Sequence, residues 1–196
     1  IRFGRKAKTL IDSPEYQEIF TTRLREDSQA AGRWETAQGG EYFAAGVGGA
    51  ITGRGADLLI IDDPHSEQDA LNLSALEKAY EWYTSGPRQR LQPGGSIICV
   101  MTRWNVKDLT GMLMRAQKEA KADQWELIEF PAVMPSGKPV WPEYWNLKEL
   151  ETVKASVSLG KWNAQWMQNP TSEEGAIIKR EWWKKWKYDH MPKLEH

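Results

Sequence analysis

The chain's 196 residues suffice for one generous domain, or one domain with an appendage, and 40% hydrophobic with 27% charged residues is the balance of a globular protein. A formal net charge of −1 excludes a whole-molecule attraction to nucleic acid or to a membrane surface, so any such attraction has to be local. The single cysteine, Cys99, excludes an intrachain disulfide framework and fits a reducing compartment, while no apolar run approaches the ~18 residues of a membrane span.

Taken in chain order, residues 1–13 read as the end of a helix, with Phe3, Ala7, Leu10 and Ile11 on one face and basic residues on the other. Ser13-Pro14-Glu15 restarts a short helix through Phe20, with proline at the first helical position, where no backbone N–H is needed. Trp34-Glu35-Thr36 and Tyr42-Phe43-Ala44-Ala45, separated by Gln38-Gly39-Gly40, predict a β-hairpin. A glycine-rich loop, Gly46 to Gly55, then leads into Leu58-Leu59-Ile60-Ile61, an apolar run without alternation that predicts a strand buried on both faces of a parallel sheet. Pro64 cannot continue a ladder and ends it.

A helix is expected from about Ser66 to Ser85, with Leu71, Leu73, Leu76, Ala79, Tyr80 and Tyr83 as its apolar set and Pro87 closing it. Gln92-Pro93-Gly94-Gly95 is a turn into a second buried strand, Ser96 to Met101, in which Cys99 is a small hydrophobe. Asp108 begins a helix through about Lys121, and Trp125 to Phe130 is a third strand candidate. This alternation of strands and helices predicts an α/β core with a mostly parallel sheet. Pro131, Pro135, Pro139 and Pro142 then mark an irregular linker, followed by short helices Leu147 to Ser156 and Leu159 to Gln168. The tail from Ile177 to Lys187 interleaves five basic residues with Trp182, Trp183 and Trp186.

Chemistry concentrates at Asp62-Asp63. Two adjacent carboxylates at the C-terminal end of a buried strand, where open α/β sheets bind ligands, are costly unless a cation or hydrogen-bond donors neutralise them. One reading is a Walker B element, in which Asp62 holds Mg²⁺ directly or through water and its neighbour orients the attacking water. The other is a strand ending in a solvated acidic turn. Glu67 is a second carboxylate in reach of the first reading, or else a helix N-terminal acid favoured by the macrodipole. Arg54 is either a mobile loop arginine flanked by glycines or the partner of Asp57. His65, His190 and His196 lack metal-ligand spacing. Trp162, Trp166 and Met167 fall at helical spacing and read as core.

Three separated segments in order, GGAITGRGADLLIIDDP, IICVMTRWNVKDLTGML and WNAQWMQNPTSEEGAIIKREWW, resemble the large terminase subunit of tailed phages and prophages. That resemblance implies a P-loop NTPase core of the additional-strand class, with ATP and Mg²⁺ as cofactors. No GxxxxGK[ST] phosphate loop occurs in the chain; in the family it would lie upstream of Ile1. The implied organisation is the second half of the ATPase core at residues 1–130, a mainly helical lid and linker at 131–170, and a linker toward a nuclease domain at 171–196. By resemblance Asp62 is the metal aspartate, and Asp63 stands where many relatives carry the catalytic glutamate. Arg54 would be the arginine finger offered to a neighbouring subunit, Thr102 the coupling residue that senses the γ-phosphate, and Arg103 a phosphate or subunit contact. The implied partners are double-stranded DNA, the small terminase subunit, the portal protein and further large subunits in a ring, in the cytoplasm of a bacterial host and without a membrane. A chain lacking the phosphate loop is expected to be inactive alone. The alternative is a non-catalytic DNA-binding or assembly module of a degenerate prophage protein, dependent on the basic tail.

Overall fold

The computed structural model describes residues 2–27, 30–49, 51 and 53–171. Its backbone divides into two compact units, one of residues 1–57 and 82–94, the other of residues 58–81 and the chain from Gly95 onward. The basic-aromatic tail, with the expected linker at 171–196, falls outside the described residues beyond Thr171.

In the first unit, α1 (Arg2–Ile11) and α2 (Pro14–Ile19) form where the sequence puts them. Ser13 caps α2, its hydroxyl accepting the Tyr16 amide at 3.3 Å. The hairpin is also as expected: β1 (Arg33–Glu35) and β2 (Glu41–Phe43) run antiparallel with Trp34 opposite Tyr42. Those two rings stack 4.8 Å apart at 6°, a cross-strand pair on one face.

Helix α1 docks differently from its apolar pattern. Phe3 and Leu10 stay exposed, and the buried residue is Gly4, whose carbonyl accepts the Trp34 indole N–H at 3.3 Å. The contact surface is the flat ring pair, which a helix backbone approaches closely only where it carries no side chain. A Cβ at Gly4 would lie 2.5 Å from the Ala31 carbonyl oxygen and 2.7 Å from the Tyr42 ring. Gly4→Ala gains about 1 kcal/mol of helix propensity but meets an overpacking cost of about 1–3 kcal/mol against backbone that cannot step aside. Net destabilisation of up to about 2 kcal/mol is therefore expected, read as a lower urea midpoint.

Strands β3 (Ala56–Asp62) and β4 (Leu91–Val100) form a second two-stranded sheet, joined by α3 (Leu73–Ser85). The Asp63 amide donates to the Val100 carbonyl at 2.9 Å, which sets the two strand ends side by side, as in a parallel pair with a helical crossover. The architecture is mixed α/β with a small parallel sheet.

Several expectations are corrected here. β3 is not buried on both faces: Ile61 is 4% exposed, but Leu58 and Ile60 are 53% and 59% exposed, and Ile98 and Val100 on β4 are open as well. With two strands and one covered face, burial follows the pleat's period of two although every residue in the run is apolar. Residues 125–130 carry no regular element, so the expected third strand is missing among the described residues. β4 begins at Leu91 rather than Ser96, taking in the predicted turn, with Gly94 at φ +81°. The helix expected from Ser66 starts at Leu73, because Ser66 and Asp69 close their own turn (Ser66 N to Asp69 Oδ2, 2.7 Å) and Asn72 caps the helix. α4 (Leu109–Ala116) starts at Asp108's cap as expected but stops five residues short, where the Gln117 carboxamide turns to accept the Trp125 amide at 3.0 Å.

α5 (Leu147–Ser156) matches its predicted bounds and opens with a capping box between Asn146 and Glu149. α6 (Leu159–Lys161) passes directly into a π-helical turn, Trp162–Trp166, so half of the last predicted helix is wound with i→i+5 rather than i→i+4 hydrogen bonds. Trp162 is buried and stacks on Trp166 at 5.7 Å, in keeping with core rather than surface. Buried apolar residues of this second unit are Ile61, Leu76, Ala79, Leu109, Leu113, Leu150, Trp162 and Ala164. Among the described residues, no helix is long and apolar enough to cross a membrane.

Candidate functional site

The site is built where β3 and β4 end. Ile61 anchors β3 in the core, and the next residue, Asp62, places its carboxylate in solvent with no hydrogen bond or ion pair among the described residues. Asp63 then turns out of the strand at φ +43°, a left-handed conformation that costs a non-glycine residue on the order of 1 kcal/mol. The turn carries its carboxylate back toward β4, where Oδ1 accepts the Thr102 amide at 3.2 Å. Asp63 and Thr102 are thus in contact, 39 residues apart in sequence, through the threonine's backbone. The Thr102 hydroxyl has no partner among the described residues.

The Arg103 side chain is bonded to Asp108 rather than to the carboxylate pair. Its Nε donates to both oxygens of Asp108, at 3.1 and 3.0 Å, and its Nη2 to the Asn105 carbonyl at 3.4 Å. Asp108 is wholly buried at 0% exposure and Arg103 nearly so at 14%. The same carboxylate accepts the amides of Trp104 (2.9 Å), Asn105 (3.2 Å) and Gly111 (2.9 Å), so one side chain caps α4 and folds the loop before it. The sequence shows Asp108 as a helix cap; its grip on Arg103 depends on a loop that doubles back, which spacing alone does not reveal.

His65 is the second buried polar group of this region. Its Nε2 accepts the Leu109 amide at 2.8 Å, so it caps α4 beside Asp108 in its neutral form. Burial pushes its pKa below the ordinary 6.5, winning over the opposing pull of Asp108 and Asp69. An unfolded chain takes up this proton near pH 6.5, while the folded chain resists it. Stability from this group is therefore full above that pH and lost as pH falls below it. Wild-type protein should lose more thermal stability between pH 7.5 and 5.5 than His65→Gln, which has no imidazole to protonate. Equal losses in paired melts would remove His65 from the account.

The remaining sequence candidates lie elsewhere. Glu67 is not on a helix; it sits in the loop after β3, its carboxylate 2.5 Å from the Lys161 ammonium, with both side chains more than half exposed. Such a surface pair contributes about 0–1 kcal/mol. Arg54 belongs to the first unit, where it pairs with Glu41 rather than Asp57 and lies over the Phe43 ring at 4.3 Å. It is a held guanidinium, not a free loop arginine. Cys99 is half-buried, and burial raises its thiol to about 11, which makes it a weak nucleophile near neutral pH.

Among the described residues, no cluster of three or more His, Cys, Asp or Glu side chains forms a metal cage. Asp62 and Asp63 are adjacent, exposed carboxylates, and Mg²⁺ is an ion usually bound by one or two carboxylates with waters and substrate phosphates completing its shell. A cavity of about 170 Å³ is lined by Phe130, Trp141, Trp145 and Trp166 together with Gln165 and Gln168.

Fold and site together define a mixed α/β chain with a carboxylate pair and a backbone-tethered loop at the C-terminal edge of a parallel strand pair. The chain matches no protein-family model and no curated protein.

Proposed function

We propose that this chain is part of the ATPase of a DNA-packaging motor, the large terminase subunit of a tailed phage or prophage. It would supply the second half of a P-loop NTPase core and a helical lid and linker. The observation that carries the reading is the placement of Asp62 and Asp63 at the C-terminal end of β3, with Asp63 in contact with Thr102 at the end of β4. Ligands of open α/β sheets bind outside the carboxyl ends of their strands.

On this reading the chemistry a bound Mg²⁺ would supply is neutralisation of the charge that develops during phosphoryl transfer. Asp62, solvent-facing and unengaged among the described residues, would hold that ion. Asp63 would orient the attacking water with the carboxylate oxygen that Thr102 leaves free, and the Thr102 hydroxyl would face the γ-phosphate. Arg103, committed to Asp108 through Nε and to the Asn105 carbonyl through one Nη2 hydrogen, would offer phosphate only its remaining Nη hydrogens. Arg54 would act on a neighbouring subunit's nucleotide after exchanging Glu41 for phosphate oxygens. The phosphate loop, the small terminase subunit, the portal protein and the DNA would be supplied by the assembled parent in the bacterial cytoplasm.

Two sets of substitutions in the parent gene product separate this reading from a DNA-binding or assembly module. Arg54→Ala should abolish DNA-stimulated ATP hydrolysis while DNA retention on a filter stays near wild type. The pair Lys184→Ala and Lys185→Ala should leave hydrolysis intact. The opposite pattern, retention lost with the lysines and no hydrolysis to lose, would favour the module.

A further inference from the structure

The loop after β4 has an unusual backbone. Four consecutive amides, Thr102 to Asn105, are each held by a side-chain oxygen: Thr102 N by Asp63 Oδ1 (3.2 Å), Arg103 N by Gln168 Oε1 (3.2 Å), and Trp104 N and Asn105 N by Asp108 Oδ2 (2.9 and 3.2 Å). Asp108 belongs to the loop's own helix, but Asp63 and Gln168 reach in from β3 and from the π-helical turn, 39 and 65 residues away. These two are also the only non-glycine residues with positive φ among those described, at +43° and +55°.

A left-handed residue just past a helical segment is ordinarily glycine, which adopts that conformation without a steric cost. Glutamine at position 168 therefore sacrifices backbone comfort, and what it contributes in return is its carboxamide. Oε1 takes the Arg103 amide, and Nε2 donates to the Gln165 carbonyl at 2.7 Å, which fixes the amide's orientation. Trp166 is itself tied down, its carbonyl accepting the Ala132 amide at 2.6 Å. The glutamine is thus a short strut between the aromatic helical segment and the amide next to the one that grips Asp63.

We propose that Gln168 is a positioning residue: by holding the Arg103 amide it keeps the adjacent Thr102 amide on the Asp63 carboxylate, so the helical segment at 147–168 sets the orientation of that carboxylate. The inference rests on the proposed role of Asp63 in orienting water. The two amides sit on successive peptide planes hinged at the Thr102 Cα, with only that residue's φ and ψ between them, so release of Arg103 N frees the rotation that aims Thr102 N. Displacement of the helical segment would then be felt at Asp63 without any contact between the two.

The test is residue-resolved amide hydrogen exchange on this chain, without nucleotide, for wild type, Gln168→Gly and Gln168→Asn. Gln168→Gly relieves the backbone and removes the carboxamide, so folding stability should hold or rise. Arg103 exchange should nevertheless accelerate by roughly tenfold and Thr102 by at least about threefold, with Trp104 and Asn105 within about twofold because Asp108 still holds them. Gln168→Asn, whose carboxamide is one methylene shorter, should recover part of the protection at both Arg103 and Thr102. Acceleration at Arg103 with Thr102 unchanged, uniform acceleration of all four amides, or no change in any would each overturn the proposal. None of these readouts involves ATP. Failure of the ATPase reading appears separately, as undiminished turnover in Asp62→Asn.

Discussion

Asp108→Ala is expected to bring the chain to the edge of unfolding. The carboxylate is fully buried and accepts the Arg103 guanidinium and the Trp104, Asn105 and Gly111 amides. Truncation leaves those amides without their acceptor and strands a guanidinium that is 14% exposed. Removing one partner of a buried pair costs about 3–5 kcal/mol, a large share of the roughly 5–15 kcal/mol that holds a domain folded. Asp108→Asn should cost less, since one oxygen remains to accept amides while its NH₂ faces Arg103 unfavourably. Urea denaturation orders the three: wild type, then Asn, then Ala, with Ala losing its cooperative transition or showing a lower midpoint that corresponds to a loss of about 3–5 kcal/mol. An Asp108→Ala protein with a wild-type midpoint would mean that this network does not hold the loop in solution.

Asp62→Asn should have the opposite signature. Asp62 is exposed and unbonded among the described residues, so stability should shift by no more than about 0.5 kcal/mol. Its expected effect is on ATP turnover by the parent subunit. A metal ion that neutralises developing phosphoryl charge is worth several kcal/mol of barrier, and each 1.36 kcal/mol is tenfold in rate. Replacing the charged ligand by a neutral amide should therefore lower turnover by about 10²–10³-fold. On the proposed reading one carboxylate would serve folding and the other chemistry, and the two lie 46 positions apart in the chain.

What was legible in the sequence was whatever local chemistry decides. The hairpin follows from two aromatic strands around Gln38-Gly39-Gly40, α5 from Asn146 and Glu149 at capping-box spacing, and the end of β3 from Asp-Asp-Pro. The face burial of β3 was not legible, because Leu58 to Ile61 are alike in hydropathy and only the neighbouring layers decide which of them meets water. Arg54's partner is not legible for a similar reason: Asp57 is nearer in sequence and one of two alternatives, yet the hairpin brings Glu41 and the Phe43 ring to the guanidinium together. At the candidate site, Asp62 and Asp63 stand at the end of β3, and the Thr102 backbone amide reaches Asp63. The contacts that fix the loop come from Asp108 and Gln168, and those depend on the chain returning from far along the sequence. A left-handed glutamine carries no local signal at all.

The measurement that bears most directly on the carboxylate pair is steady-state ATP hydrolysis by the parent subunit, wild type beside Asp62→Asn, with circular dichroism melts of both. The account predicts matching melts and a loss of turnover of about 10²–10³-fold, with partial recovery when inactive Asp62→Asn and Arg54→Ala subunits are mixed, since each would supply what the other lacks across a ring. Wild-type turnover by Asp62→Asn would contradict it, leaving the Asp-Asp-Pro segment as a solvated turn at the end of a strand.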